Sequence, residues 1–446
     1  MNRGGLRHLG QALARGAEAF VVLAAIGQAL AFGARIVAGT GPSVVTTAKV
    51  GAIYVGAFNR VAIEIRVADD ASMAGGSGST SVSIGVALLA VTAFGLWLVF
   101  RSGRSVAQRA GGTVPRRMLL GAAVAPAYAA LVFALALLVE VRTSLRIGGF
   151  SSPDLRVSLS AWQALVFPFC LAAAAGASGG VASALASAEA TVRLRAARAA
   201  IAGGWRMFVL GVALSIGGLF VAGVAQADDA VAFLTPSTAS YWRAVFDRPD
   251  IGVAAFALHV AVLPNEAMWT LVPAMGGCDV IRGDIDADVL CYGRYADRLQ
   301  ATSSDDGLLL PVGDDGLPLE QLPDVYLAFL LVPALATLLG GRHAAAVSDR
   351  AGWNGLPIGA ASGLVFAAFV AAGSLLSTVV INYGAAGGGN AGWVLFGPHV
   401  LTGTALAVGW GCVGGAVGAA TTSRVRTPTE AGLDGGRNAP GRDVSW

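Results

Sequence analysis

Lysine is all but absent from this chain: of 30 basic residues only Lys49 is not arginine, and charged residues make up just 13% of the 446. A net charge of +3, with the arginines scattered between apolar runs, excludes a nucleic-acid-binding surface, which needs basic side chains gathered on one face. Cysteine is scarce, at four residues, so a disulfide-stapled small domain is excluded. Cys278 and Cys291 have no neighbouring histidine, and no metal site is expected at them. Asp284, Asp286 and Asp288 resemble the opening of a calcium loop, yet Tyr295 stands where a bidentate glutamate is required. A nucleophile elbow, an HExxH pair and a carboxylate dyad are all missing, and the stretches GGTVPRR and GAAGGGN lack the Lys-Ser/Thr ending of a phosphate loop. No enzymatic activity and no cofactor are therefore expected.

What the chain has instead is apolar length. It is 55% hydrophobic with a mean hydropathy of +0.67, which points to an all-α, polytopic transmembrane helical bundle. The arginine, alanine, glycine and valine usage suggests a GC-rich bacterial genome. Arg3, Arg7 and Arg15 precede the apolar run from Phe20 to Ala38, which reads as a first span starting inside rather than a cleaved signal peptide. Residues 43–66 carry Lys49, Asn59, Arg60, Glu64 and Arg66, too many polar groups for a lipid-facing span. Their VAIEIRV alternates like a short strand, so the stretch is placed at the outer interface or folded into the bundle. Further spans are expected over Val82–Phe100, Leu119–Val139, Ala161–Ser187, Met207–Ala225, Tyr326–Leu339 (short unless Leu322–Gly341 is taken whole), Ile358–Ile381 and Val400–Ala420, about eight full spans with the first. The five arginines of 101–117 form the strongest inside signal.

The stretch Ile251–Gly277 is long enough to cross, but its middle carries Pro264, Asn265 and Glu266, and Pro273 follows. Each proline removes a helix donor, so this reads as a broken or re-entrant element packed inside the bundle. If it enters and leaves on the outer side, more basic residues fall inside than outside, both termini are cytoplasmic, and the acidic loop 278–323 is extracytoplasmic. Cys278 and Cys291 are then a candidate disulfide, whereas in the cytoplasm they would stay thiols. Cys170 and Cys412 read as packing residues within spans. Residues 1–426 form one transmembrane domain, and 427–446 a disordered cytoplasmic tail. Gly359-xxx-Gly363, Gly411-xxx-Gly415 and Gly414-xxx-Gly418 indicate close helix packing, and no inverted repeat is evident.

The early arrangement of spans ending in RSGR, with the run LPNEAMW after a long apolar segment, resembles the PerM-like family of actinobacterial multi-span membrane proteins. Its compact signature here is Leu263-Pro264-Asn265 with Trp269. The Gly276-Gly277-Cys278-Asp279 run and the long acidic loop depart from that family's pattern. The resemblance implies a setting in the bacterial cytoplasmic membrane, in cell division or envelope maintenance, with membrane or envelope proteins as partners beside the bilayer itself. Two function classes follow. One is a non-enzymatic scaffold whose loops bind other proteins, among them the aromatic segment around Tyr241, Trp242 and Phe246. The other is a secondary transporter or channel, with His259, Pro264, Asn265, Glu266 and Trp269 forming an intramembrane polar site.

Overall fold

The computed structural model describes residues 3–38, 43–68, 79–147, 150–186, 192–225, 249–283, 287–291, 328–348, 355–386 and 391–425. The first half of the chain runs α1 (Arg3–Ala38), α2 (Val44–Phe58), β1 (Ile63–Ala68), β2 (Ser79–Gly85), α3 (Leu89–Ala110), α4 (Val114–Ala122), α5 (Ala125–Leu138), β3 (Glu140–Ile147), β4 (Phe150–Leu159) and α6 (Ala161–Leu185). The second half repeats that order with α7 (Val192–Ala225), α8 (Pro249–Ala274), β5 (Cys278–Gly283), β6 (Ala287–Cys291), α9 (Leu331–Val347), α10 (Leu356–Ser377), β7 (Val379–Ala386), β8 (Gly392–Pro398) and α11 (Val400–Val425). The strands form one antiparallel eight-stranded sheet in the order β3-β4-β1-β2-β7-β8-β5-β6, which is the same four-strand pattern written twice. The chain is thus a direct duplication.

The repeat holds down to single hydrogen bonds. After α2, Val61 N–H reaches Gly56 O at 3.0 Å, and after α8 the Gly277 N–H reaches Val272 O at 3.0 Å. The Ser160 amide donates to Ala62 O at 3.0 Å, and in the second half the His399 amide donates to Cys278 O at 2.9 Å. Arg60 sits at φ +59° where its counterpart Gly276 sits at φ +91°, so a left-handed residue turns each helix into its strand. Glycines repeat in the same way. A Cβ on Gly121 would strike the Gly176 carbonyl, and one on Gly359 the Gly415 carbonyl. Gly103 abuts Gly176 as Gly341 abuts Gly415, while Gly179 meets Phe100 O as Gly418 meets Leu338 O. Removing the side chain lets helix backbones touch where lipid supplies no hydrophobic driving force between helices. The close packing expected at the three GxxxG pairs is present: Gly363 also rests on Gly411 and Cys412, and Gly414 on Thr337.

The helical bundle expected from sequence is there, and seven of its described helices are long and apolar enough to cross a membrane. The protein is therefore an integral membrane protein. Helix α3 falls short of that standard because Arg101, Arg104 and Arg109 occupy its second half. The all-α expectation is corrected by the sheet: Val82–Gly85 belongs to β2, residues 379–381 begin β7, and the segment after α5 forms the β3–β4 hairpin. These strands were legible as period-two alternation in VAIEIRV, EVRTSLRI and LRVSLS, but their short length hid them beside the apolar runs. Of residues 43–66, placed by sequence at the interface or in the bundle, α2 packs on α1 and residues 63–66 join the sheet, with Ser43 Oγ capping α2 at the Thr46 amide, 3.2 Å away.

The sheet closes one end of the bundle. Its hairpins β1–β2, β3–β4 and β7–β8 link the helices there, while Arg101–Arg117, Arg193–Arg198 and Arg342 gather at the opposite helix ends. Residues directly opposite across strands share a face. One face carries Val141, Val157, Leu159, Ile63, Ile65, Ile84, Ile381, Val394 and Phe396, and Phe396 meets the Trp269 ring of α8 edge-on at 4.7 Å. The other face carries Glu64, Arg66, Arg142, Arg156, Ser83 and Asn382. An apolar face toward helices and a charged face toward water is what an antiparallel sheet requires.

Candidate functional site

The two halves meet where β2 pairs with β7, in register from Ser79↔Ala386 to Gly85↔Val380. Helix α8 of the second half lies against this seam. It is a continuous helix with Pro264 and Pro273 inside it, which corrects the expectation of a broken element. A mid-helix proline costs about 3 kcal/mol, and the fully buried Met268, Leu271 and Val272 around Pro273 hold the helix through it. The helix then stops at Ala274 and the chain returns through β5 to the sheet. The helix is unbroken, and the chain turns back at its end into the sheet.

The residues singled out on α8 have different tasks. Asn265 is buried, accepts the Leu89 amide at 3.0 Å through Oδ1, and donates from Nδ2 to Ala87 O at 2.7 Å. Its side chain is wholly spent on the β2–α3 turn of the other half. Trp269 Nε1 donates to Ser377 O at 3.2 Å. Thr270 Oγ1 donates to Glu266 O at 2.8 Å, and Glu266 itself is half-buried. Pro264 is half-buried. His259 lies in the same helix, with its side chain outside the described residues. The structure thus brings Asn265 and Trp269 to the seam as fasteners, each tied to main-chain groups of a neighbouring element.

Cys278 is disulfide-bonded, and the β5–β6 register sets Cys291 directly opposite it. Cys170 is free and exposed on α6, and Cys412 is free and half-buried on α11. Of the aspartates that resemble a calcium loop, Asp288 lies in β6, whereas Asp284 and Asp286 fall outside the described residues, as do Tyr241, Trp242, Phe246 and 292–327. Among the described residues no cluster of His, Cys, Asp or Glu is built to hold a metal ion.

Two features were missed in the sequence. Asp279, 2% exposed in β5, shares the bundle-facing side of the sheet with Phe396. Its Oδ1 meets no hydrogen-bond partner among the described residues, and burial pushes its carboxyl well above the usual 3.8. The second is a row of arginines on the water face, Arg142, Arg156 and Arg66, aligned across β3, β4 and β1. Beside it runs a row of Glu140, Ser158 and Glu64, and Arg142 Nε binds Glu140 Oε1 at 2.8 Å while Arg66 binds Glu64 Oε2 at 3.0 Å. Only pairing across strands distant in sequence assembles either row.

Comparison with protein-family models, curated proteins and solved structures finds no match to this chain. The site is therefore judged by its own geometry. Among the described residues, the cavity between Leu23, Phe58, Asn59, Thr92 and Tyr128 measures about 10 Å³, room for a single water molecule.

Proposed function

We propose that the protein is a non-enzymatic scaffold of the bacterial cytoplasmic membrane, with its arginine-rich helix ends in the cytoplasm and its sheet presented on the outer side. The positive-inside rule supports this orientation, as does a disulfide at Cys278 in the sheet, since the outer side is the oxidising one. Both termini are then cytoplasmic. The platform offered to envelope or division proteins is the polar face of the sheet, with its rows of arginine and glutamate.

The observation that carries the scaffold reading is the continuous β2–β7 pairing between the halves. Alternating access requires two halves to rock against each other around a fixed site. Here such rocking would tear a ladder of main-chain hydrogen bonds and pull Asn265 from Ala87 and Leu89. Asn265, one of the five residues expected to form an intramembrane polar site, is committed to this contact.

A disulfide lock tests this. Ser83 and Asn382 are directly opposite across the seam, and an S83C/N382C chain joins the halves covalently when oxidised. The locked protein is expected to restore division or envelope integrity to a gene-deletion strain. A chain with Arg66, Arg142 and Arg156 changed to alanine is expected to insert normally and fail to do so. A solute flux in proteoliposomes that the lock abolishes and reduction restores would overturn the scaffold in favour of a transporter.

A further inference from the structure

A direct duplication has a consequence for the sheet's edges. The seam joins β2 of the first half to β7 of the second, and β7 is the counterpart of β3. The contact is head-to-tail, so the two surfaces that make it are different and each half carries both. The second half therefore has its own copy of the β2 surface, on β6, and the first half its own copy of the β7 surface, on β3. Both strands are edges of the described sheet. Two repeats that closed on each other would pair β6 with β3 and make a barrel, and among the described residues they do not.

Among the described residues, the copy of the seam on the first half is open in the place where the seam itself is filled. At the seam, Ala87–Leu89 seats between α8 and the start of β7, held by Asn265 and with Leu89 packed in the second half's core beside Met268 and Leu271. The corresponding place between α2 and the start of β3 is a surface pocket lined by Val45, Thr46, Lys49, Glu140, Val141 and Arg142. Lys49 stands at the position of Asn265, and its Nζ turns to Glu140 O at 2.7 Å. Val45 is 66% exposed.

We infer that this chain assembles with further copies of itself, β6 of one copy pairing with β3 of the next in the manner of β2 with β7, to close a ring about an axis normal to the membrane. Head-to-tail contacts give rings when the rotation closes and open helical fibres when it does not. Both repeats cross the bilayer in the same sense, so an operator with any rise along the normal would lift the next copy out of the lipid. The assembly is confined to the plane and ends by closing.

The seam register supplies the test. Counted from the paired residues on either strand, Val289 and Ser144 stand where Ser83 and Asn382 do, with Ser144 at the register shift between Thr143 and Leu145. Full-length V289C/S144C chain, oxidised in native membranes, is expected to run as cross-linked dimers and larger species on a non-reducing gel, with neither single variant doing so. The S83C/N382C chain, treated alike, is expected to cross-link within one chain and reports that the outer face of the sheet is formed and accessible. Single-molecule counting of labelled parent chain in lipid nanodiscs drawn from the same membranes is expected to show more than one copy per particle. Single copies throughout, with V289C/S144C uncross-linked while S83C/N382C closes, would overturn the ring. The locked S83C/N382C chain can restore function whether or not the ring exists, so failure here leaves the scaffold reading to its own experiment.

Discussion

At the scale of single residues, the two halves show what a position does by what replaced it. Tyr128 and Asn59 in the first half correspond to Phe366 and Met275 in the second. Tyr128 donates to Asn59 Oδ1 at 2.7 Å, and Asn59 Nδ2 donates to Val55 O at 2.8 Å, all buried. In the second half the pair is apolar, Phe366 and Met275 lie in one core, and Trp410 donates to Met275 O at 3.0 Å. Leu171, the counterpart of Trp410, leaves the small cavity. Removing one member of a buried polar pair costs about 1–3 kcal/mol, whereas replacing both with apolar groups is close to neutral. Asn59→Met alone and Tyr128→Phe alone should thus each lower thermal stability, and the double variant should recover most of the loss, a coupling of about 1–2 kcal/mol in a double-mutant cycle.

Asp279 gives a pH prediction of definite sign. Its folded pKa is raised by burial above the ordinary 3.8, so the native state loses stability as pH climbs from that value through the folded one. Asp279→Asn abolishes the loss. The melting temperature of the detergent-solubilised variant should match the parent near pH 4 and exceed it at pH 8, the gap growing by about 1.4 kcal/mol per pH unit until the folded pKa is passed. A constant gap across that range would mean that Asp279 does not titrate.

At the scale of elements, helix contacts in this protein are made by glycine against backbone. Gly121 and Gly359 face Gly176 and Gly415, so a leucine at either position must push two helices apart. Overpacking of this kind costs about 1–3 kcal/mol and often more where backbone gives no room. Gly121→Leu and Gly359→Leu are expected to reduce folded protein to a similar degree, read by fluorescence-detected chromatography. Gly217→Leu, where nothing lies within reach of an added Cβ, should leave it unchanged. The matching glycines were visible in the sequence, as were GAA at 121–123 and 359–361 and Gly-Arg at 103–104 and 341–342. Their signal was lost among 61 glycines because a small residue identifies a contact only once its partner is known.

At the scale of the whole molecule, the halves share one sheet and exchange core residues, with Leu89 in the second core and Val262 against the first. They should unfold together. Asn265→Ala leaves the buried Leu89 amide and Ala87 carbonyl without this partner, and should lower the melting temperature and the yield of folded protein by the equivalent of about 1–3 kcal/mol. A variant that keeps parental stability and loses activity would return Asn265 to the role of a ligand.

The sequence by itself determined that this chain lives in a membrane, where its helices run and which of their ends collect arginine. Those properties are local sums of transfer free energy and charge, and each can be read within a window of some twenty residues. It also marked α8 as a helix to be packed inside the bundle, because Asn265, Glu266 and two prolines are unsuited to lipid at any register, although the helix is continuous and not broken. What only the tertiary structure decided was the use of those residues. That Asn265 serves a turn of the other half, that Asp279 faces the bundle, and that three arginines form a row all depend on strand pairings between segments as far apart as Ser79 and Ala386. Such pairings arise from the apolar face that four separate hairpins can bury only by merging into one sheet, a requirement no single segment carries.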